Sequence, residues 1–224
     1  FSKFGEDVKT GIGQGFGIST VGLVSDAIGK LKEFAVSTVT TGMEFEQSMA
    51  NVKAISGATG DEFQKLTDFA RELGATTMMS ASESADAMSF LAMAGWETSE
   101  IMAGLPAILD LTIASGSEFA TVADIVSDNL TAFGMTANQA TEYSDALAYA
   151  MSNANVNMDT LGESLKYIAP VATSAGVSMQ ETVAMTMMLG DAGIKGSQAG
   201  TTLRTVMLNL TGANQKATDK LKEL

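Results

Sequence analysis

A short block occurs twice in this chain: Ser80–Gly95 reads SASESADAMSFLAMAG and Ser178–Gly193 reads SMQETVAMTMMLGDAG. Laid over each other without a gap, the copies share Ser80/Ser178, Glu83/Glu181, Leu91/Leu189, Ala94/Ala192 and Gly95/Gly193. The shared residues are helix punctuation. Ser followed three residues later by Glu is a capping box, in which hydroxyl and carboxylate satisfy free amides of the first turn. Gly just past the last turn adopts the left-handed conformation that ends a helix. A chain that starts and stops helices at such close range has to fold back on itself rather than run on as a rod.

The signals around the block agree. Helix followed by Gly precedes both copies (Ala70 to Gly74 and Ala172 to Gly176), and Leu105 and Leu203 stand equally far beyond the closing glycines. A tandem duplication of a helical unit accounts for this, and convergence on common cap chemistry is the competing account.

Composition points the same way. The 224 residues, 46% of them hydrophobic, suffice for a core. That apolar content is Ala, Met and Leu with 6% aromatics and two prolines, which favours helix over strand. An all-α, multi-helix array of short capped helices following one long helix is expected. MTMML (Met185 to Leu189) is the one run short and apolar enough to read as strand.

The organisation expected along the chain is a flexible Gly-rich lead-in at 1–17, a long helix at 18–56, a compact helical core at 57–212 and the start of a further helix at 213–224. In the long helix Val21, Ile28, Ala35, Gly42 and Met49 share one heptad position, and Val24, Leu31, Thr38, Phe45 and Val52 the other. A self-association seam and an ordinary core helix both fit that pattern. Within the core, Thr59 with Glu62 is expected to open a helix that closes at Gly74, and Pro106 to begin a new one. A helix over about 118–133 should end at Gly134, and Thr136 with Gln139 should cap the next, which reaches about Asn153. After Asn157 a helix carrying Leu161, Leu165 and Ile168 meets Pro170, expected to kink or end it. Ser197 leads into the last helix, with Leu203, Val206, Met207 and Leu210.

Chemistry is constrained by what is missing. With no Cys and no His, thiol and imidazole catalysis, disulfides and the commonest zinc and iron sites are excluded. No catalytic, cofactor-binding or metal-ligating residues are assigned. GDAGIKGS (Gly190 to Ser197) has the letters of a phosphate-binding loop in the wrong order, because Lys195 precedes Gly196 instead of following it. GIGQGFG (Gly11 to Gly17) misses the spacing of a dinucleotide fingerprint. Asp61 and Glu62 suit a first turn on dipole grounds, and Glu83 and Glu181 are read as caps.

Charge is segregated. No Lys or Arg lies between Arg71 and Lys166, while that interval carries thirteen Asp and Glu; the net charge of −13 therefore resides there. Such a surface repels phosphate, so sequence-independent nucleic-acid binding through it is not expected. Arg204 stands on an otherwise neutral helix, either paired with an acidic residue of the middle stretch or exposed with its stem packed on Leu203 or Met207. The chain begins at Phe1 and ends in KATDKLKEL, and reads as part of something longer. It shows no signal peptide or confident transmembrane run, and a soluble state is expected.

Five segments carry a resemblance when taken in order: SGATGDEFQKLTDFARELG (Ser56 to Gly74), SASESADAMSFLAMAGW (Ser80 to Trp96), ADIVSDNLTAFGM (Ala123 to Met135), ESLKYIAPVATSAGVSMQET (Glu163 to Thr182) and GIKGSQAGTTLR (Gly193 to Arg204). From about Met43 to Leu210 the chain resembles the core of phage tail tape measure proteins, in the family of the lactococcal phage TP901 minor tail protein. The resemblance implies a non-enzymatic structural protein of a long-tailed phage, prophage or phage-tail-like particle, without cofactors. Such a protein sets tail length during assembly and occupies the tube lumen until ejection, after a cytoplasmic assembly phase in the host. Implied partners are further copies of the chain, with a trimer as the expected order, the tail tube protein, tail assembly chaperones, tail tip proteins, and the host membrane at ejection. Sequence-specific nucleic-acid recognition is not expected. The rival reading is a membrane-active bacteriocin or toxin acting through the Gly-rich start.

Overall fold

The structure is a computed structural model that describes residues 40–211. The expected lead-in at 1–17, the first part of the long helix and the expected helix start at 213–224 lie outside the described residues. Contacts divide the chain into two compact units, Phe1–Gln47 and Ser48–Leu224. In the first, residues 40–47 are helical. In the second, α1 (residues 48–56) is followed by α2 (Asp61–Thr76), α3 (Ala81–Met93), α4 (Thr98–Ser115) and α5 (Phe119–Phe133). A 3₁₀ turn at Ala137–Gln139 then leads into α6 (Ala140–Asn153), α7 (Met158–Ser174), α8 (Met179–Asp191) and α9 (Gly196–Leu210). No strand occurs among the described residues, and MTMML lies within α8.

The repeated block forms the same corner twice. Ser80 Oγ accepts from the Glu83 N–H at 3.2 Å while the Ser80 N–H donates to Glu83 Oε2 at 2.7 Å. Ser178 and Glu181 repeat this at 3.2 and 2.9 Å. At the other end Gly95 and Gly193 adopt φ of 90° and 84°, and the next residue's N–H returns to the carbonyl of Leu91 or Leu189, at 3.1 and 2.8 Å. This six-to-one bond closes the last turn and reverses the chain. Gly134 ends α5 at φ 67°, and the Asn157 side chain caps α7, both as the sequence implies.

Two helices form the core. α4 buries Ile101, Leu105, Ile108, Leu109 and Leu111 among α2, α3, α5 and α6. α7 buries Leu161, Leu165, Ile168, Ala169 and Ala172 among α5, α8 and α9. Both run through a proline, which corrects two expectations: Pro106 does not begin a helix and Pro170 does not end one. The Glu100 carboxylate accepts from the Glu97 N–H at 2.9 Å and starts α4 at Thr98, well before Pro106. An interior proline costs about 3 kcal/mol, whereas each large aliphatic side chain buried on the same helix contributes about 1.5–3 kcal/mol. The helix therefore continues through the defect. Pro170 is exposed and Pro106 half-buried.

Three further boundaries differ from expectation. Thr59 and Glu62 do not form a side-chain cap; Gly60, at φ 56°, is the N-cap of α2. Gly74 does not close α2, which runs to Thr76, but lets the backbones of α2 and α3 meet: a Cβ there would lie 2.6 Å from the Ala81 backbone nitrogen. The last helix starts at Gly196, one residue before Ser197, with no side-chain cap.

The two corners are alike, but what packs around them is not. In the first copy α3 packs most closely on α2, at Gly74; in the second α9 packs on α7, at Gly200. A Cβ at Gly200 would collide with the Ser164 carbonyl oxygen. Laying the copies over each other puts Met102 opposite Gly200, and a methionine cannot let two backbones touch. Ser164 reinforces the contact, its hydroxyl reaching the Thr160 carbonyl at 2.7 Å and the Gly196 carbonyl at 2.9 Å.

Gly200→Ala is expected to lower unfolding stability by about 1–3 kcal/mol, because backbone atoms cannot yield. Gly162→Ala should cost less, since its Cβ would meet side-chain atoms, Cδ1 and Cγ1 of Ile125, and a change of rotamer there can relieve what a backbone carbonyl cannot. Urea denaturation of the two variants decides it, and equal losses would refute the backbone-contact account.

Candidate functional site

The helical frame presents its polar chemistry outward. Of the thirteen carboxylates between Arg71 and Lys166, Glu100 is half-buried and the rest are exposed, so the acidic stretch is a surface. Among the described residues no group of three or more Asp or Glu is placed to hold a metal ion. No helix among them is long and apolar enough to cross a membrane.

The residues singled out by chemistry take structural places. Glu83 and Glu181 cap their helices, and each carboxyl is held below the usual carboxylate range, first by the backbone N–H of its Ser partner and then by the Ser side chain. GDAGIKGS supplies the end of α8, the reversing Gly193 and the start of α9. Asp191 in that stretch accepts from the Asn155 N–H at 2.7 Å, tying the α6–α7 loop to the end of α8. Arg204 is exposed and forms no ion pair among the described residues, so the pairing within the chain that its position suggested does not occur.

Among the described residues, grooves open between neighbouring helices. One, of about 410 Å³, lies between α5 and α7, with Asp124, Asp128, Asp159 and Glu163 on its walls and Lys166 beside them. Another, about 200 Å³, lies between α4 and α6; it is lined by Pro106, Leu111 and Ala148 and edged by Asp110 and Asp145, with Ser144 in its wall. Exposed apolar side chains are scattered over several helices and one connection: Met93, Ile113, Tyr149, Met188 and Leu210 on helices, and Met78 between α2 and α3.

Buried hydroxyls are mostly satisfied within their own turn. Ser84, Ser164, Thr182 and Thr186 each donate to the carbonyl four residues back, at 2.7–3.0 Å. Ser89, Tyr143 and Ser144 are buried without a partner for the hydroxyl. Burial pushes the Tyr143 phenol above its ordinary range, which keeps it neutral. These three residues were not legible as special in the sequence, because nothing local distinguishes a Ser that bonds its own helix from one that does not.

The sequence profile of the family described as "Phage-related minor tail protein" matches residues 67–224. The "Tape measure protein" of Pneumococcus phage Dp-1 is 39% identical over 215 residues, covering 96% of this chain and 18% of that protein. The "Probable tape measure protein" of Escherichia phage P2 is 35% identical over 191 residues, 84% of this chain and 23% of that protein. The chain thus spans about a fifth of the length of these relatives. No solved structure matches it.

The caps give stability a defined pH dependence. A folded-state pKa below the unfolded value of about 4.5 means that the contribution is present above that pH and lost as pH falls through the folded value. Thermal unfolding followed by circular dichroism should show stability falling on acidification below about 4.5, and the Glu83→Gln/Glu181→Gln double variant should show a shallower fall over the same range. Both carboxylates are solvent-exposed, so the difference is small. In a separate measurement, Tyr143→Phe should leave stability unchanged or raise it by up to about 2 kcal/mol, since it removes a buried hydroxyl that has no partner.

Proposed function

We propose a role that proceeds from one premise: the chain belongs to the phage-related minor tail protein family. It is the core region of a tail tape measure protein of a long-tailed phage, prophage or tail-like particle. The whole protein sets tail length during assembly and occupies the tail tube until ejection. The observation that carries this reading is the match to that family over most of the chain, together with two relatives named as tape measure proteins. The partners that follow are further copies of the chain, tube subunits, assembly chaperones, tip proteins and, at ejection, the host membrane.

The fold suggests which part of that role this region takes. One continuous helix of 224 residues would span roughly 340 Å at ~1.5 Å per residue. The longest helix of the compact unit, α4, has 18 residues and spans only about 27 Å. A chain that reverses at Gly95, Gly134, Gly176 and Gly193 adds the thickness of a bundle to the tail rather than its own contour length. The measuring therefore belongs to long helices elsewhere in the protein, and this core serves assembly or ejection.

In-frame deletions within 57–212 are expected to reduce particle yield or infectivity without shortening tails in proportion to the residues removed. Electron micrographs of negatively stained particles provide the measurement. Tail length falling by about 1.5 Å per deleted residue would sink the assignment of measuring to other segments.

A further inference from the structure

The repeated block extends into its neighbours in one register, yet the second copy is less enclosed than the first. At a spacing of 98 residues α3 (Ala81–Met93) falls on α8 (Met179–Asp191), α2 and α7 end together at Thr76 and Ser174, and α4 and α9 begin together at Thr98 and Gly196. On that register Ile101, Leu105, Ile108 and Leu109 of α4 stand opposite Ala199, Leu203, Val206 and Met207 of α9. The helix α4 packs among α2, α3, α5 and α6, and its Ile108 is fully buried. Among the described elements α9 packs on α7 and α8, and Val206, in the place of Ile108, is 47% exposed.

Ala199, Leu203, Val206 and Leu210 form one stripe along α9, at successive spacings of four, three and four residues. Its first half is buried; Val206 and Leu210, the latter 68% exposed, carry it on uncovered. The polar side of the helix lies elsewhere, at Gln198, Thr201, Thr205 and Asn209, all exposed. The register also says where a cover belongs. In the first copy the element after α4 is α5, which packs on α4 and buries Ala123 and Val126; their counterparts 98 residues on are Leu221 and Leu224, and that of Phe119 is Ala217. These positions lie outside the described residues, but their sequence pattern is amphipathic. Ala217, Leu221 and Leu224 share about 60° of a helix at 3.6 residues per turn, with Asp219 and Glu223 on the opposite side. Lys220, in the place of Val122, falls at the edge of that stripe, where its methylenes can follow an apolar surface while the ammonium stays in water. Gly212 supplies a stop signal between α9 and the new stripe.

We propose that residues 216–224 form a helix that folds back on α9 of the same copy, with Ala217 and Leu221 against Leu210 and Val206 and Leu224 towards Leu203. So short a helix is unstable alone in water and depends on a surface to pack on, which the uncovered half of the α9 stripe provides. The turn between the two stripes is short, so the segment reaches α9 of its own copy at little entropic cost, whereas a segment from a second copy has to be brought there by association. The segment closes the second copy of the repeat as α5 closes the first. The proposal stands on the repeat register and two matching apolar stripes, and is independent of the tail assignment.

The chain has no cysteine, so introduced thiols report without background. In the whole chain, Val206→Cys with Leu221→Cys should close an intramolecular disulfide under mild oxidation at least tenfold faster than Val206→Cys with Glu223→Cys, whose second thiol stands on the opposite side at nearly the same separation along the chain. Hydrogen exchange provides a second readout. Leu221→Asp with Leu224→Asp should speed exchange of the Met207–Leu210 amides at least tenfold, while Lys222→Asp, off the stripe, should leave them as they are. Equal rates of disulfide closure for the two pairs, or exchange in the last turn of α9 unchanged by the double aspartate variant, overturns the contact. A 206–221 disulfide that joins two chains, seen as a dimer when the single variants Val206→Cys and Leu221→Cys are mixed and as no faster closure within the double variant, overturns the same-copy arrangement and makes the α9 stripe an interface between copies.

Discussion

The close approach of α7 and α9 at Gly200 holds the second half of the molecule together. It needs three things at once: no side chain at Gly200, a hydroxyl at Ser164 to bridge to Gly196, and α7 continuing past Pro170. Because α7 also packs on α5 and α8, whatever loosens this contact is felt across most of the bundle. The Thr173 hydroxyl, which reaches the Ala132 carbonyl at 2.9 Å, and Asp191, which holds the Asn155 N–H, secure the same helix to its neighbours at other points. Small residues and hydroxyls thus take the place that large aromatic side chains occupy in many cores.

The same economy explains the surface. Short helices built from Ala, Met, Ser and Thr bury little area each, so they depend on capped ends and on hydroxyls satisfied within the turn. Carboxylates are left to the outside, where they repel one another and repel phosphate. The price of this arrangement is a set of exposed acids with no bases in the same stretch.

The compact unit is a chain of short helices reversed at glycines. A segment that folds back at every corner is poor at spanning distance but good at presenting fixed faces, such as the acidic groove edges and the exposed side of α9.

What the sequence determined by itself was the helical class, the corners at Ser80–Gly95 and Ser178–Gly193, the stop at Gly134, the start at Asn157 and the acidic belt. Each of these is a local matter: a side chain bonding a backbone amide three residues away, a glycine taking a positive φ, or a count of charges. Tertiary structure alone decided that α4 passes through Pro106 and α7 through Pro170, that Gly74 and Gly200 are contact points, and that Ser144 has no partner in its own helix. A missing Cβ, a missing N–H or a spare hydroxyl acquires meaning only from the neighbour brought against it. That neighbour is distant in sequence, and the burial that brings it there outweighs the local preference.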